Sequence, residues 1–290
     1  LKFLLKKKVN IALSVGHPKI KTDNKNFLSI KSISREKNLK FINPRTLNSH
    51  TFFRKLKIID PDFMVLAGYS ACILKKKIYQ VPKFGTINLH ASLLPKYRGG
   101  SPLNWVIINN EKFTGISIIQ VDEGIDTGKI LCQKKIKMNK KETIITLTKK
   151  VNLLFPGLLY KTLKDISLRK KFKFYKSKKL KYFKKRKPEE GYLDFKKLSA
   201  IKIERMVRAL LPPFPGAFFF YKRKKIIIIK MYILKRKAKY KPGSILKVGK
   251  NNLIVSTIDY PIKITKFLSS NTKKFKFTYF KPRDILNEKI

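Results

Sequence analysis

The stretch Thr86–Trp105, TINLHASLLPKYRGGSPLNW, decides how this chain is to be read. It opens as an apolar run of the kind a buried strand needs, but Asn88 and His90 interrupt it. Residues two apart on a strand share a face. Ile87 and Leu89 therefore point one way and Asn88 and His90 the other, the two polar residues roughly 7 Å apart along the strand. Polar groups at the carboxyl end of a strand stand where open α/β sheets hold their ligands. A second polar cluster, VDEGIDTG at Val121–Gly128, follows the β-branched run Thr114–Val121. It supplies Asp122, Glu123 and Asp126, with Gly124 and Gly128 for tight backbone turns.

Taken alone, His90 reads more readily as a satisfied core histidine. Asn88 on the same face and the Asp-bearing turn move the reading toward chemistry. Asn, His and Asp without a Ser or Cys nucleophile do not make a covalent hydrolase triad. The chain has only three histidines, with no second His or Cys near His90, so no metal is expected. What remains is direct transfer between two bound substrates, with an amine attacking a carbonyl. Asn88 donates to the developing oxyanion. His90 stabilises that oxyanion as imidazolium or moves a proton. Asp126 favours the charged imidazole and collects protons from the amine. His17 reads as a surface turn residue and His50 as a surface residue at a helix start.

Outward from this stretch, strands and helices alternate. Strands are expected at Val9–Val15, Lys40–Asn43, Phe63–Ala67, Thr86–His90, Thr114–Val121 and Ile130–Ile136. Helices are expected at 26–37, Thr51–Lys57, Ile73–Gln80, Ser101–Asn109 and Thr143–Leu163. This predicts an α/β domain with a parallel or mixed sheet covered on both faces. A helix-like Leu1–Lys8 feeding the Val9 strand implies an earlier strand, about 20–30 residues of further chain by the size of such elements. LRKKFKFYKSKKLKYFKKRK at Leu168–Lys187 is a basic linker with interleaved aromatics. That composition suits either a solvated connector or a grip on single-stranded nucleic acid. Beyond it a helix at Ala200–Leu210, stopped by PPFPG, leads into five short strands between Ala217 and Phe267, which predict a small β-barrel. The domains are thus residues 1–177, a linker at 178–196 and a barrel at 197–290. No internal repeat, signal peptide or membrane span is visible.

With 43% hydrophobic residues the chain buries a core and is not a disordered tail. Cys72 and Cys132 read as small core residues in a reducing compartment, the cytoplasm. Lys and Arg number 69 against 17 Asp and Glu, a net charge of +52. Drift toward A/T-rich codons inflates Lys but does not deplete Asp and Glu. A field this positive also attracts polyanions.

The motifs resemble the formyltransferases that use 10-formyltetrahydrofolate. NLHASLLP at Asn88–Pro95, RGG at Arg98–Gly100 and DEGIDTG at Asp122–Gly128 carry the likeness. LAGYSACIL at Leu66–Leu74, KRKPEEGYLDF at Lys185–Phe195, MVRAL and PPFPGAF extend it over most of the chain. The resemblance implies a Rossmann-like catalytic domain, its opening strand and turn absent here, and an OB-like C-terminal barrel. It implies Asn88, His90 and Asp126 as catalytic residues. It implies folate contacts from Cys72, Ile73 and Leu74, from Ser92, Leu93, Leu94 and Pro95, and from Asp122, Glu123, Gly124 and Ile125. The implied formyl donor is 10-formyltetrahydrofolate, with no metal. The leading acceptor is the amino group of initiator methionyl-tRNA, favoured by the two-domain layout and the basic linker and barrel. GHPKIKTDNKNF lacks the Gly-Arg-Gly-Lys insertion of that branch. LPKYRGGSPLNW is also similar to the amino-sugar branch, which carries Arg where this chain has Gly100. A nucleotide-linked amino sugar is therefore the second acceptor, and a catalytically inactive RNA-binding relative the third reading. The protein is expected to be a monomer with no membrane partner.

Overall fold

Strand pairing around Thr86–His90 organises the fold. A computed structural model describes residues 1–17, 29–69, 73–170, 181–235, 240–269 and 276–287. In chain order the elements are α1 (Lys2–Lys6), β1 (Ser14–Val15), α2 (Ile30–Glu36), β2 (Phe41–Ile42), α3 (His50–Ile59), β3 (Met64–Ala67), α4 (Lys76–Tyr79), β4 (Thr86–His90), β5 (Arg98–Gly99), α5 (Pro102–Ile108), β6 (Phe113–Gln120), β7 (Ile130–Lys137) and α6 (Ile144–Ser167). They continue with β8 (Tyr182–Phe183), α7 (Ala200–Ala209), β9 (Ala217–Tyr221), β10 (Lys224–Ile233), β11 (Ile245–Gly249), β12 (Asn252–Val255) and β13 (Ile262–Ser269). Contacts divide the chain into two compact units. The first comprises Leu1–Pro102, Lys112–Met138 and Thr148–Lys184. The second comprises Leu103–Glu111, Asn139–Leu147 and Lys185–Ile290.

In the first unit β3, β4, β6 and β7 form a mixed sheet in that order, with β3 parallel to β4 and the other two pairs antiparallel. A separate parallel pair joins β1 to β2. Alternation along β3 sends Phe63 and Val65 to one core and Met64 and Leu66 to the other. The first core holds Ile87 and Ile118, both fully buried, against Leu4 of α1 and Leu159 and Leu163 of α6. Each isoleucine contributes roughly 1.5–3 kcal/mol by burial. The second core is built by Phe52 and Leu56 of α3 and Ile78 and Tyr79 of α4. Asn88 pairs with Leu66 on β3, so the polar pair faces away from the Ile87 core.

Several expected elements come out shorter, and in two the cause is visible. The apolar alternation of Val9–Val15 forms a ladder only at Ser14 and Val15, each opposite a residue of β2. Val9 and Ile11 instead pack into the Ile87 core, so their pattern records burial and not pairing. The helix expected at Ile73–Gln80 begins at Lys76. Asn48 captures the chain ahead of it, its amide donating to the Ile73 carbonyl (2.9 Å) and accepting from the Lys75 N–H (2.8 Å).

The second unit is built on an antiparallel sheet ordered β11-β12-β13-β10-β9. Its two edge strands are joined by the segment 283–287. Ile245 on β11 donates to the Asp284 carbonyl (2.9 Å), and Asn287 donates to Phe220 of β9 (3.0 Å). That closure gives the expected small barrel, filled by Phe219, Ile226, Leu253, Ile262 and Ile264. Two short stretches from early in the chain count with this unit for a visible reason. The Asn104 amide donates to the Ala209 carbonyl at the end of α7 (2.7 Å), and the Arg208 guanidinium donates to the Glu142 carbonyl (2.5 Å). Among the described residues no helix is long and apolar enough to cross a membrane.

Candidate active site

Strand β4 delivers Asn88 and His90, and the loop after β6 delivers Asp126. The three side chains meet. Asn88 Nδ2 donates to Asp126 Oδ1 at 2.9 Å, and His90 Nδ1 lies 3.3 Å from Asp126 Oδ2. Two backbone groups complete the cluster. The Tyr97 carbonyl stands 3.0 Å from His90 Nε2, and the Gly99 N–H donates to Asp126 Oδ2 at 3.1 Å. The imidazole is 6% exposed and the carboxylate 11%, so both interactions act in a screened, low-dielectric setting. Both neighbours of the ring are acceptors, and only a ring bearing both N–H groups donates to each.

The Asp126 loop is shaped by its own residues. Asp122 Oδ1 accepts from the Gly124 N–H (3.1 Å) and from the Thr127 hydroxyl (2.7 Å), folding the turn on itself. Asp126 sits at φ +51°, a left-handed conformation that Asp tolerates better than most residues. A Cβ on Gly128 would collide with the Gln120 carbonyl oxygen, so only glycine lets the loop rejoin β6 this closely.

The remaining candidates fall into three groups. Cys72 lies outside the described residues. Ile73 is exposed, whereas Leu74 is buried in the α3–α4 core. In the segment after His90, Ser92 is fully buried and its hydroxyl donates to the Lys96 carbonyl (2.7 Å). Leu94 packs on Ile119 and Ile130. Leu93 and Pro95 are partly exposed, and Leu94–Pro95 is a cis peptide. Ser117 of β6 ties this turn together, donating to the Ser92 carbonyl (2.6 Å) and accepting from the Leu94 N–H (3.1 Å). Gln133 of β7 donates to the Leu94 carbonyl (2.8 Å). In the Asp126 loop, Glu123 and Ile125 are exposed, and Asp122 and Gly124 are partly so. Among the described residues no three His, Cys, Asp or Glu side chains gather as metal ligands would.

Sequence reasoning missed the Tyr97 carbonyl and the Gly99 amide, because backbone groups leave no residue-type signature. The RGG run was the available signal. It also missed Ser117 and Gln133, which read as ordinary polar residues of strands. Of the other histidines, His17 is partly buried with its ring 5.5 Å from that of Tyr69, and His50 is exposed at the start of α3.

Comparison with known proteins gives the chain its family. Residues 6–163 match the model of the formyl transferase family, and residues 185–281 match that of the formyl transferase C-terminal domain. A methionyl-tRNA formyltransferase of Thermodesulfovibrio yellowstonii is 37% identical over 269 residues, covering 91% of this chain and 85% of that protein. The bifunctional polymyxin resistance protein ArnA of Wigglesworthia glossinidia brevipalpis is 40% identical over 238 residues, covering 79% of this chain and 35% of that protein. The solved N-formyltransferase of Helicobacter canadensis, in complex with folinic acid and dTDP-3-aminofucose, shares the fold. Its TM-score is 0.65 at 21% identity, over 91% of this chain and 93% of that one. With matches at both ends and a strand end that unites the amide, the imidazole and the carboxylate, the chain belongs to the formyl transferase family.

Proposed function

We propose that this protein moves the formyl group of 10-formyltetrahydrofolate onto the methionyl amino group of initiator methionyl-tRNA, in the cytoplasm and as a monomer. The observation that carries the chemistry is the convergence of Asn88, Asp126 and His90 in one cluster. The acceptor rests on the methionyl-tRNA formyltransferase relatives, which align along most of their length, and on the net charge of +52. Residues 1–177 carry the reaction, and the basic segment 178–196 with the barrel at 197–290 engages the polyanionic acceptor.

The side chains suit that reaction step by step. As the amine nitrogen bonds to the formyl carbon, the carbonyl electron pair moves onto oxygen. Asn88 has two N–H bonds, one spent on Asp126, and the other is free to donate to that oxyanion. His90, held between the Tyr97 carbonyl and Asp126, stands beside it to stabilise that charge or to move a proton. Asp126 accepts from the Asn88 amide on Oδ1 and from the Gly99 N–H on Oδ2, where it also faces the His90 ring, and a carboxylate has about four lone-pair positions. One therefore remains on Oδ1 for the proton the amine must lose. The carbon–nitrogen bond of the donor then breaks, its electron pair returns to the folate nitrogen, and that nitrogen takes up a proton. The exposed residues Ile73, Glu123 and Ile125 fit contact with the pterin.

An amino-sugar acceptor is the second reading, favoured by the likeness of LPKYRGGSPLNW to the amino-sugar branch. Purified protein given 10-formyltetrahydrofolate with either charged initiator tRNA or a UDP-linked amino-arabinose decides between them. We expect formyl-methionyl-tRNA as the product. Formylation of the sugar alone would overturn the tRNA assignment, and formylation of neither would overturn the activity.

A further inference from the structure

The two-residue strand β8 lies far along the chain from the candidate catalytic residues, yet it backs onto β5, the strand whose segment touches them. It pairs in parallel with β5, Arg98 opposite Tyr182 and Gly99 opposite Phe183. The Gly100 N–H donates to the Phe183 carbonyl at 2.7 Å. The Phe183 ring lies 4.8 Å from that of Tyr97, and the Arg98 guanidinium lies 5.9 Å from the centre of the Tyr182 ring. Gly99 has φ +103°, and a Cβ there would collide with the Phe183 carbonyl. The β8 backbone is therefore seated as close to β5 as glycine allows.

The opposite edge of the same segment holds the catalytic pair. In extended chain the C=O of one residue and the N–H of the second residue on point to the same side. Here those two groups are the Tyr97 carbonyl, on His90 Nε2 (3.0 Å), and the Gly99 N–H, on Asp126 Oδ2 (3.1 Å). Asp126 and His90 thus occupy the place a neighbouring strand would take, and β8 occupies the other edge. The position of β5, and with it the aim of both side chains, depends on what β8 presses against it.

We infer that Phe183, together with Tyr182, is a positioning residue for formyl transfer, acting through Tyr97 and Gly99 on the His90–Asp126 pair. This rests on the reading of that pair as catalytic. Misplacing reacting groups by about 1 Å costs on the order of 100-fold in rate, so the effect belongs in kcat and not in donor binding.

The full chain carrying Phe183→Ala, Phe183→Tyr or Asp126→Asn is assayed for kcat and for donor KM. Each is also labelled with 15N-histidine, which reports on only three side chains. In Phe183→Ala we expect kcat to fall about 10- to 100-fold with donor KM within about twofold. The His90 ring resonances should shift while those of His17 and His50 hold. Phe183→Tyr, which keeps the ring, should recover most of the lost rate. Unchanged kcat, or a rate loss with unmoved His90 resonances, would overturn the inference. Should Phe183→Ala not fold, Tyr182→Ala, at a ring 41% exposed, is read by the same resonances and overturns the inference if they stay put. Full activity in Asp126→Asn would instead sink the catalytic reading. An inactive Asp126→Asn beside an unaffected Phe183→Ala sinks only the positioning role.

Discussion

At the residue scale, Asp126 does three things at once. It anchors the Asn88 amide, faces the His90 ring and accepts the Gly99 N–H. Replacing it with Asn keeps the shape and removes both the charge and the proton acceptor. General base catalysis is worth about 100- to 10,000-fold, so Asp126→Asn should lower kcat by at least about 100-fold, measured by single-turnover formylation. The fold should survive. Losing a charge-assisted contact to a buried imidazole costs about 1–3 kcal/mol, a modest share of the stability of a domain this size. Near-normal turnover in a folded Asp126→Asn protein would remove Asp126 from the mechanism. The contact was legible in part. Alternation along Thr86–His90 placed Asn88 and His90 on one face, but nothing in the residue pattern of VDEGIDTG measured how far the loop reaches. The Asp122 turn and the bare Cα of Gly128 make that reach.

At the element scale, the sequence was most readable where burial sets the pattern. β4 falls on its expected bounds, Thr86–His90, since it is an apolar run closed by a turn. β5 and β8 were invisible, because two residues are too few to show a period and the partners lie 84 positions apart, Arg98 against Tyr182. Leu168–Lys187 read as a linker by composition. Residues 171–180 of it lie outside the described set, and the strand inside it is revealed only by its partner. Helix α7 was also placed almost to the residue, but its second cap came from afar. Ser199 accepts from the Lys202 N–H, and Asp259, distant in sequence, accepts the Ala200 N–H at 2.8 Å. Burial alone would raise the Asp259 carboxyl. The Ala200 N–H, the Thr257 hydroxyl and the Tyr260 N–H outweigh it and hold the group below its ordinary value. A depressed folded value means that the stabilisation is present above about pH 4 and is lost as pH falls through the folded value. Asp259→Ala should therefore cost about 1 kcal/mol at pH 7, the worth of a helix cap. In urea melts the gap between variant and parent should close as the pH drops below 4. A gap independent of pH would mean that the side chain acts by packing and not by charge.

At the scale of the whole molecule, the charge decides which acceptor the protein meets. The 17 acidic residues are few, and several serve local structure: Asp126 in the site, Asp259 at α7, Glu204 paired with Arg208 (2.6 Å) and Asp284 receiving the Tyr221 hydroxyl (2.6 Å). They leave most of the 69 Lys and Arg side chains without an acidic partner, simply by number. Codon drift would explain the lysines. It does not explain why the acids that remain include those that hold a helix start, a barrel closure and the candidate site together. A surface of this kind binds a polyphosphate backbone by displacing its condensed counterions, so affinity falls with salt in proportion to the phosphates neutralised. If the acceptor is tRNA and six or more phosphates are contacted, its KM should rise on the order of 1,000-fold between 50 and 200 mM salt. Donor KM should move little, since a folate presents only a few charges. Over the same range a nucleotide-linked sugar, with two phosphates, would show at most about a tenfold rise. Measuring both constants across that salt series distinguishes the acceptors by slope alone. A flat acceptor KM with active enzyme would mean that the +52 charge plays no part in substrate capture and that the tRNA assignment is wrong.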